Sequence, residues 1–187
     1  MRENKGFSLI EAIVVMAIMA LLTGMVTYSF GLVTGQEARQ CANNLSAAMD
    51  KAKSYALSKS GSSDAYLEIL RDADQSIMVR FYIPQNPVVT GAVPGTADYL
   101  LFEEQKVGKR AVEVICNMVD GTAFPITETA HIRIYYDRIS GAFKQAIMVD
   151  TGVETAAYCN NITISRGKTY QIQFINATGK HILDRVG

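Results

Sequence analysis

The feature that most constrains this chain is an apolar run, residues 7–33, in which Glu11 is the single formally charged side chain. At about 1.5 Å per residue the run makes a helix of about 40 Å, enough to cross a bilayer core of about 30 Å. A carboxylate in such a helix costs roughly 2.5 kcal/mol or more at the centre and less near an end, so Glu11 calls for a partner. Arg2 and Lys5 precede the run, whereas Glu37 and Arg39 balance beyond it. That asymmetry places the N-terminus in the cytoplasm and the remainder outside.

A secretory signal would carry a small-x-small cleavage site after its apolar region. No convincing site follows residue 33, but Gly6 stands directly before the run. Cleavage between Gly6 and Phe7 would leave the helix on the mature chain and create an ammonium group at Phe7. That ammonium lies about one turn from Glu11 in the same helix and can equally approach Glu11 of a neighbouring subunit. The pair could therefore set the register of one helix against another.

The stretch Gly6-Phe7-Ser8-Leu9-Ile10-Glu11 closely resembles the processing site of type IV prepilins and pseudopilins. The resemblance covers the leader and the first helix. It implies cleavage after Gly6 by a membrane-embedded prepilin peptidase and N-methylation of Phe7. It also implies handling by an inner-membrane assembly platform and assembly with other pilin subunits into a filament cored by these helices. In that family the carboxylate at the Glu11 position neutralises the N-terminal amine of an adjacent subunit.

The chain has 187 residues, enough for this helix and one further domain with its own core. Its 18 basic and 18 acidic side chains cancel, and loss of residues 1–6 leaves 16 against 17. No overall field draws it to nucleic acid, so partners must be chosen by local surface. The three cysteines, Cys41, Cys116 and Cys159, cannot all pair within one chain. Cys116 and Cys159 fall in the part expected outside the cytoplasm and could form a disulfide, or all three could remain buried thiols. Their spacing suggests no metal site.

From residue 34 to 60 the helix pattern becomes amphipathic. Cys41, Leu45, Ala48, Ala52 and Tyr55 form one face, opposed by Arg39, Asn43, Ser46, Asp50 and Lys53. The apolar face is expected to pack on a sheet of the following domain, and Gly61-Ser62-Ser63-Asp64 to end the helix. Between the two halves, Thr23, Gly24, Thr27, Ser29, Gly31 and Gly35 weaken it, since a helical glycine costs about 1 kcal/mol relative to alanine. They suit either local stretching inside a filament or close helix packing.

Residues 61–187 read as a β-rich head. Strands are expected at 65–71 and 76–83, a hairpin around residues 72–75, and then at 99–107 and 111–116, joined by Gly108-Lys109-Arg110. Further strands are expected at 131–136, 143–149, 161–165 and 170–175, with a short last one at 180–183. Residues 84–98 hold three prolines and two glycines and read as a long loop, and 117–129 as a second irregular stretch. About eight short strands with turns between them argue an antiparallel sheet or two packed sheets. The fold class is α+β: a leader (1–6), a transmembrane or filament-core helix (7–33), its amphipathic half (34–60) and the head. The segments 162–164 and 170–174, with the closing Thr178-Gly179 turn, are similar to the heads of H-type minor pseudopilins and of minor pilins of DNA-uptake systems.

Little in the head suggests catalysis. His131 alternates with Arg133 and Tyr135 on what reads as a solvent-facing side of a strand, and His181 has no identifiable nucleophile near it in sequence. No GxSxG, HExxH or P-loop spacing occurs, and Glu103-Glu104 read as an exposed strand edge. Asp72, Asp74 and Gln75 could offer oxygens from one turn, as G-type pseudopilins bind calcium, but about six to eight are needed. No cofactor or metal is expected. The runner-up reading is a DNA-binding minor pilin, with Lys109, Arg110, Arg166, Lys168, Lys180 and Arg185 as contacts if they converge. The leading one is a non-enzymatic subunit, more in keeping with a minor than a major one. It would be single-pass in the cytoplasmic membrane with its head out, and at the cell surface or in the periplasm once in a pilus or pseudopilus.

Overall fold

The structure, a computed structural model, describes residues 9–58, 65–84, 99–137 and 139–186, with side chains described throughout these except at 26–34. The leader, Phe7, the expected helix stop at 61–64, Arg138 and nearly all of the 84–98 loop lie outside the described residues.

One helix, α1 (Leu9–Ser58), runs unbroken for 50 residues, about 75 Å at the standard rise. Its second half carries the expected face. Ala38, Cys41, Ala42, Leu45, Ala48, Met49, Ala52 and Ala56 are all buried. Tyr55 is half-buried and packs on Phe81 and Phe102, with ring centroids 5.6 and 4.7 Å apart. Five of the eight buried positions are alanine, so the helix backbone can approach its neighbours closely.

Those neighbours are two antiparallel sheets. The first has the strand order β3 (Tyr99–Gly108), β2 (Ile77–Pro84), β1 (Tyr66–Arg71), β6 (Ala130–Tyr135), β7 (Ala146–Asp150), β8 (Val153–Ala157). The second has the order β11 (Lys180–Val186), β10 (Lys168–Ile175), β9 (Cys159–Arg166), β4 (Glu113–Met118), β5 (Ala123–Pro125). The helix packs on β1, β2 and β3 of one sheet and on β9, β10 and β11 of the other. Leu67, Ile69, Val79 and Ile134 from the first sheet share one core with Val114, Ile162, Ile164 and Ile172 from the second. The Tyr136 hydroxyl, buried in this core, donates to the Met49 carbonyl of the helix at 3.2 Å. Burial pushes its ionisation well above the ordinary tyrosine range.

The hairpin around residues 72–75 forms, with Arg71 opposite Ile77 and Ser76 taken into the turn. Gly108-Lys109-Arg110 does not join sheet neighbours: β3 and β4 belong to different sheets, and the chain crosses between them there. Gly108 makes this possible, because a Cβ there would come within 2.7 Å of Cys41 Sγ on the helix. At Gly179, in the turn between β10 and β11, φ is +60° and a Cβ would overlap the Gly141 carbonyl oxygen.

Three sequence expectations are corrected. The stretch 117–129 is not irregular throughout: it contains the end of β4 and all of β5. The strand expected at 143–149 starts only at Ala146, while Phe143 makes an isolated bridge to Tyr136. Strand β8 was not expected at all, because four of its five residues are exposed and it shows no apolar alternation. The described residues thus contain eleven strands where about eight were expected.

Candidate assembly site

The part of α1 ahead of the head is distinguished by what it leaves uncovered. Between Leu9 and Met25 every described residue is exposed, including eleven large apolar side chains, from Leu9 at 81% to Met25 at 66%. They point to all sides of the helix, so no single face can be turned inward. Glu11 sits among them in the first turn. An apolar surface of this extent is not stable facing water and marks a membrane or protein interaction site. Among the described residues no helix is long and apolar enough to cross a membrane. The described side chains of the apolar run stop at Met25, so the expected span 7–33 lies in part outside them.

The root of the protruding segment is fixed electrostatically. Glu37 accepts a hydrogen bond from Lys109 Nζ at 2.9 Å, and its second oxygen meets the Arg166 guanidinium. Its side chain is only 13% exposed. One carboxylate on the helix thereby ties together the β3–β4 crossing and the β9–β10 turn. In the sequence Glu37 stands only as a balancing charge. Its signal was its position, the first acid after the apolar run.

Of the six cations proposed to form a basic surface, Lys109 and Arg166 are therefore paired with Glu37. Lys168 lies beside them, its side chain packed against Gly35. Arg185 pairs in register with Tyr170 at the same end of the β10–β11 hairpin, and Arg110 adjoins Lys109. Lys180 does not converge with the rest. It lies opposite Ile175 at the other end of that hairpin, five residues or about 17 Å away.

The His131 face is not solvent-facing as expected. Glu68 and Arg133, neighbours on β1 and β6, are 7% and 8% exposed, and Arg133 also reaches Glu154. Tyr66, itself 1% exposed, stacks on Tyr82 and meets Tyr135 and Tyr99 edge-on or tilted, filling the rest of this surface. His131 Nε2 stands 3.3 Å from Glu68. Burial nevertheless holds its pKa below the usual histidine value, against the pull of Glu68.

His181 does have a hydroxyl beside it: Ser46 Oγ is 2.8 Å from its Nε2. Asp50 approaches the same nitrogen, at 3.9 Å. A nucleophile–base relay needs the carboxylate on the opposite ring nitrogen. Here both partners share one, and the arrangement docks β11 onto the helix.

Glu103 and Glu104 leave opposite faces of β3, each in an ion pair, with Lys51 and Arg80. Asp74 accepts from the Ser76 backbone and side chain and from Lys106, which pulls its carboxyl far below the ordinary range. It is committed to the turn, and among the described residues no cluster of three His, Cys, Asp or Glu side chains could hold a metal ion. All three cysteines are free and buried. The Cys116 and Cys159 thiols lie close enough to interact, which together with burial raises the Cys116 pKa, and burial raises that of Cys41 to about 12.

Fold and protruding helix together make an α+β chain: a β-rich head on a spine whose first half is left uncovered. Residues 1–27 match the family model of the prokaryotic N-terminal methylation motif. The match covers the leader and the start of the helix, the stretch that resembles the type IV prepilin and pseudopilin processing site. That motif implies processing by prepilin peptidase, a membrane-anchored precursor and assembly with other pilins. No curated protein and no solved structure matches the chain.

Proposed function

We propose that the chain is a structural subunit, in the manner of a minor pilin or pseudopilin, of a type IV pilus or of a secretion or competence pseudopilus. The precursor spans the cytoplasmic membrane through residues 7–33 with its head outside. It is cut after Gly6 and N-methylated at Phe7. It then leaves the membrane as the helix passes from lipid into a bundle of like helices. Glu11 meets the Phe7 ammonium of a neighbour there. Removing both charges from water together offsets a penalty that either would incur alone.

The observation that carries this reading is the all-round exposure of Leu9 to Met25 directly after the Gly6-Phe7 junction. A helix packed only on its own head would show one covered face. The large head favours a minor subunit, and the presence of Glu11 favours a position with a neighbour ahead of it. A DNA-binding role is the weaker alternative, because Glu37 already pairs two of the proposed basic contacts and Lys180 stands apart from the rest.

The test is Gly6→Val in the native host. The expected result is a precursor that stays full length in the membrane and is missing from sheared filaments. A variant that is shortened and assembled as usual would defeat the proposal.

A further inference from the structure

Where the helix leaves the head, an open groove of about 430 Å³ runs between α1 and the β10–β11 hairpin. Its helix wall is Arg39 and Asn43, which continue the face of Gly35 at four-residue spacing. Its other wall is Lys168 and Tyr170 on β10 with Leu183, Asp184 and Arg185 on β11. Three cations face one acid. The Lys168 stem lies against the helix at Gly35: a Cβ at that position would come 2.7 Å from Lys168 Cδ, and the lysine would have to shift. Arg166 and Lys109 border the groove but are bound by Glu37, which leaves the charge of the groove itself positive.

The groove's position along the helix decides what meets it. The apolar run ends at Val33, two residues before Gly35 and six before Arg39, about 3 and 9 Å along the axis. The polar layer of a bilayer extends roughly 5–8 Å beyond each side of the hydrocarbon core. With the helix embedded, Lys168, packed against Gly35, lies within that layer, the Arg39 side chain can reach back into it from its outer edge, and Arg185 shares their groove.

We propose that this groove binds the phosphodiester headgroup of an anionic phospholipid and seats the head on the membrane before the subunit is extracted. The inference rests on the membrane-anchored reading given above. Binding is electrostatic and is lost when the helix leaves the lipid. The groove thus holds the unassembled subunit at a fixed height and rotation, and extraction must break this contact.

The experiment uses the mature full chain in detergent and in vesicles. Native mass spectrometry in detergent measures retention of phosphatidylglycerol, phosphatidylcholine and inorganic phosphate. Flotation with vesicles of each lipid reports anchoring separately. The expected result is flotation with both vesicle types, phosphatidylglycerol retained over phosphatidylcholine, and no retention of inorganic phosphate. The triple variant Arg39→Gln, Lys168→Gln, Arg185→Gln should lose at least about tenfold in retention, since each cation near an anionic surface contributes about fivefold. Asp184→Asn, which removes the acid from the groove, should gain, and this single change decides the matter if the triple variant does not fold. Flotation with equal retention of both lipids, or an Asp184→Asn chain that retains no more than the parent, overturns the inference and leaves the anchoring intact. Retention of duplex DNA in place of phosphatidylglycerol also overturns it. Failure to float with either vesicle would instead overturn the anchored reading on which it stands.

Discussion

Replacing Glu37 by glutamine should loosen the head from the root of its helix, and the two ion pairs that Glu37 makes should contribute unequally. Lys109 is 66% exposed in its side chain and Arg166 28%, against 13% for Glu37. An exposed lysine pair is worth at most about 1 kcal/mol after screening. The ion pair to the partly buried Arg166 guanidinium is less screened and is worth more, about 1.5–3 kcal/mol. Glutamine keeps the shape and one hydrogen bond, so Glu37→Gln should cost about 2 kcal/mol and lower the unfolding midpoint of the head by roughly 5–10 °C. The assay is thermal unfolding of the full chain in detergent, followed by near-ultraviolet circular dichroism. The chain has nine tyrosines and no tryptophan, so the signal reports chiefly on packed tyrosine. Double-mutant cycles with Arg166→Gln and Lys109→Gln divide the effect. The coupling to Arg166 should exceed that to Lys109 by at least about 1 kcal/mol. A total loss below about 0.5 kcal/mol, or a larger coupling to Lys109, would refute the account of Glu37 as the tie at the helix root.

Two further perturbations test the head. Gly179→Ala should be severely destabilising, by about 3 kcal/mol or more, because the φ of +60° disfavours a side chain and the Gly141 carbonyl occupies its space; unfolding as above checks it, and a loss under about 1 kcal/mol would contradict the close turn contact. His181 is held below its ordinary pKa of 6.5, chiefly by burial against the pull of Asp50. A group with a depressed histidine pKa is neutral when folded and binds more protons when unfolded. Its stabilising effect is therefore complete above about pH 7 and is lost as pH falls below the unfolded value. His131 is shifted the same way and should add to the loss. In His181→Gln the decline in midpoint between about pH 7 and 5 should be shallower than in the parent, and an unchanged slope would contradict the assignment.

The helix and the inner strands were legible because their patterns are periodic and their faces differ. Cys41, Leu45, Ala48 and Ala52 recur at helical spacing, and Ile77, Val79 and Phe81 alternate as a strand with one face in a core. Strands β5 and β8 were hidden because each is an edge of its sheet. At an edge a residue such as Pro125 costs no ladder bond, and Val153 to Ala156 need no apolar face. The crossing at Gly108 was misread because a turn-like tripeptide looks the same whether the chain folds back or changes sheet. The His131 face was misjudged because a buried salt bridge uses the residue types of an exposed surface. Only the cross-strand register of Glu68 with Arg133 reveals it. Ser46 and His181 are 135 residues apart in sequence, and no local signal could join them. The proposed Gly6, Phe7 and Glu11 site, by contrast, is a local signal, a junction and a charge within one turn, and the methylation motif matched over residues 1–27 spans it.

The measurement that tests the central claim most directly is mass spectrometry of filaments sheared from cells, searching for the peptide that begins at Phe7. The account predicts that peptide with its amine N-methylated, in small proportion to a major subunit if the chain is a minor pilin. Recovery only of peptides that retain residues 1–6, and only from membranes, would contradict it.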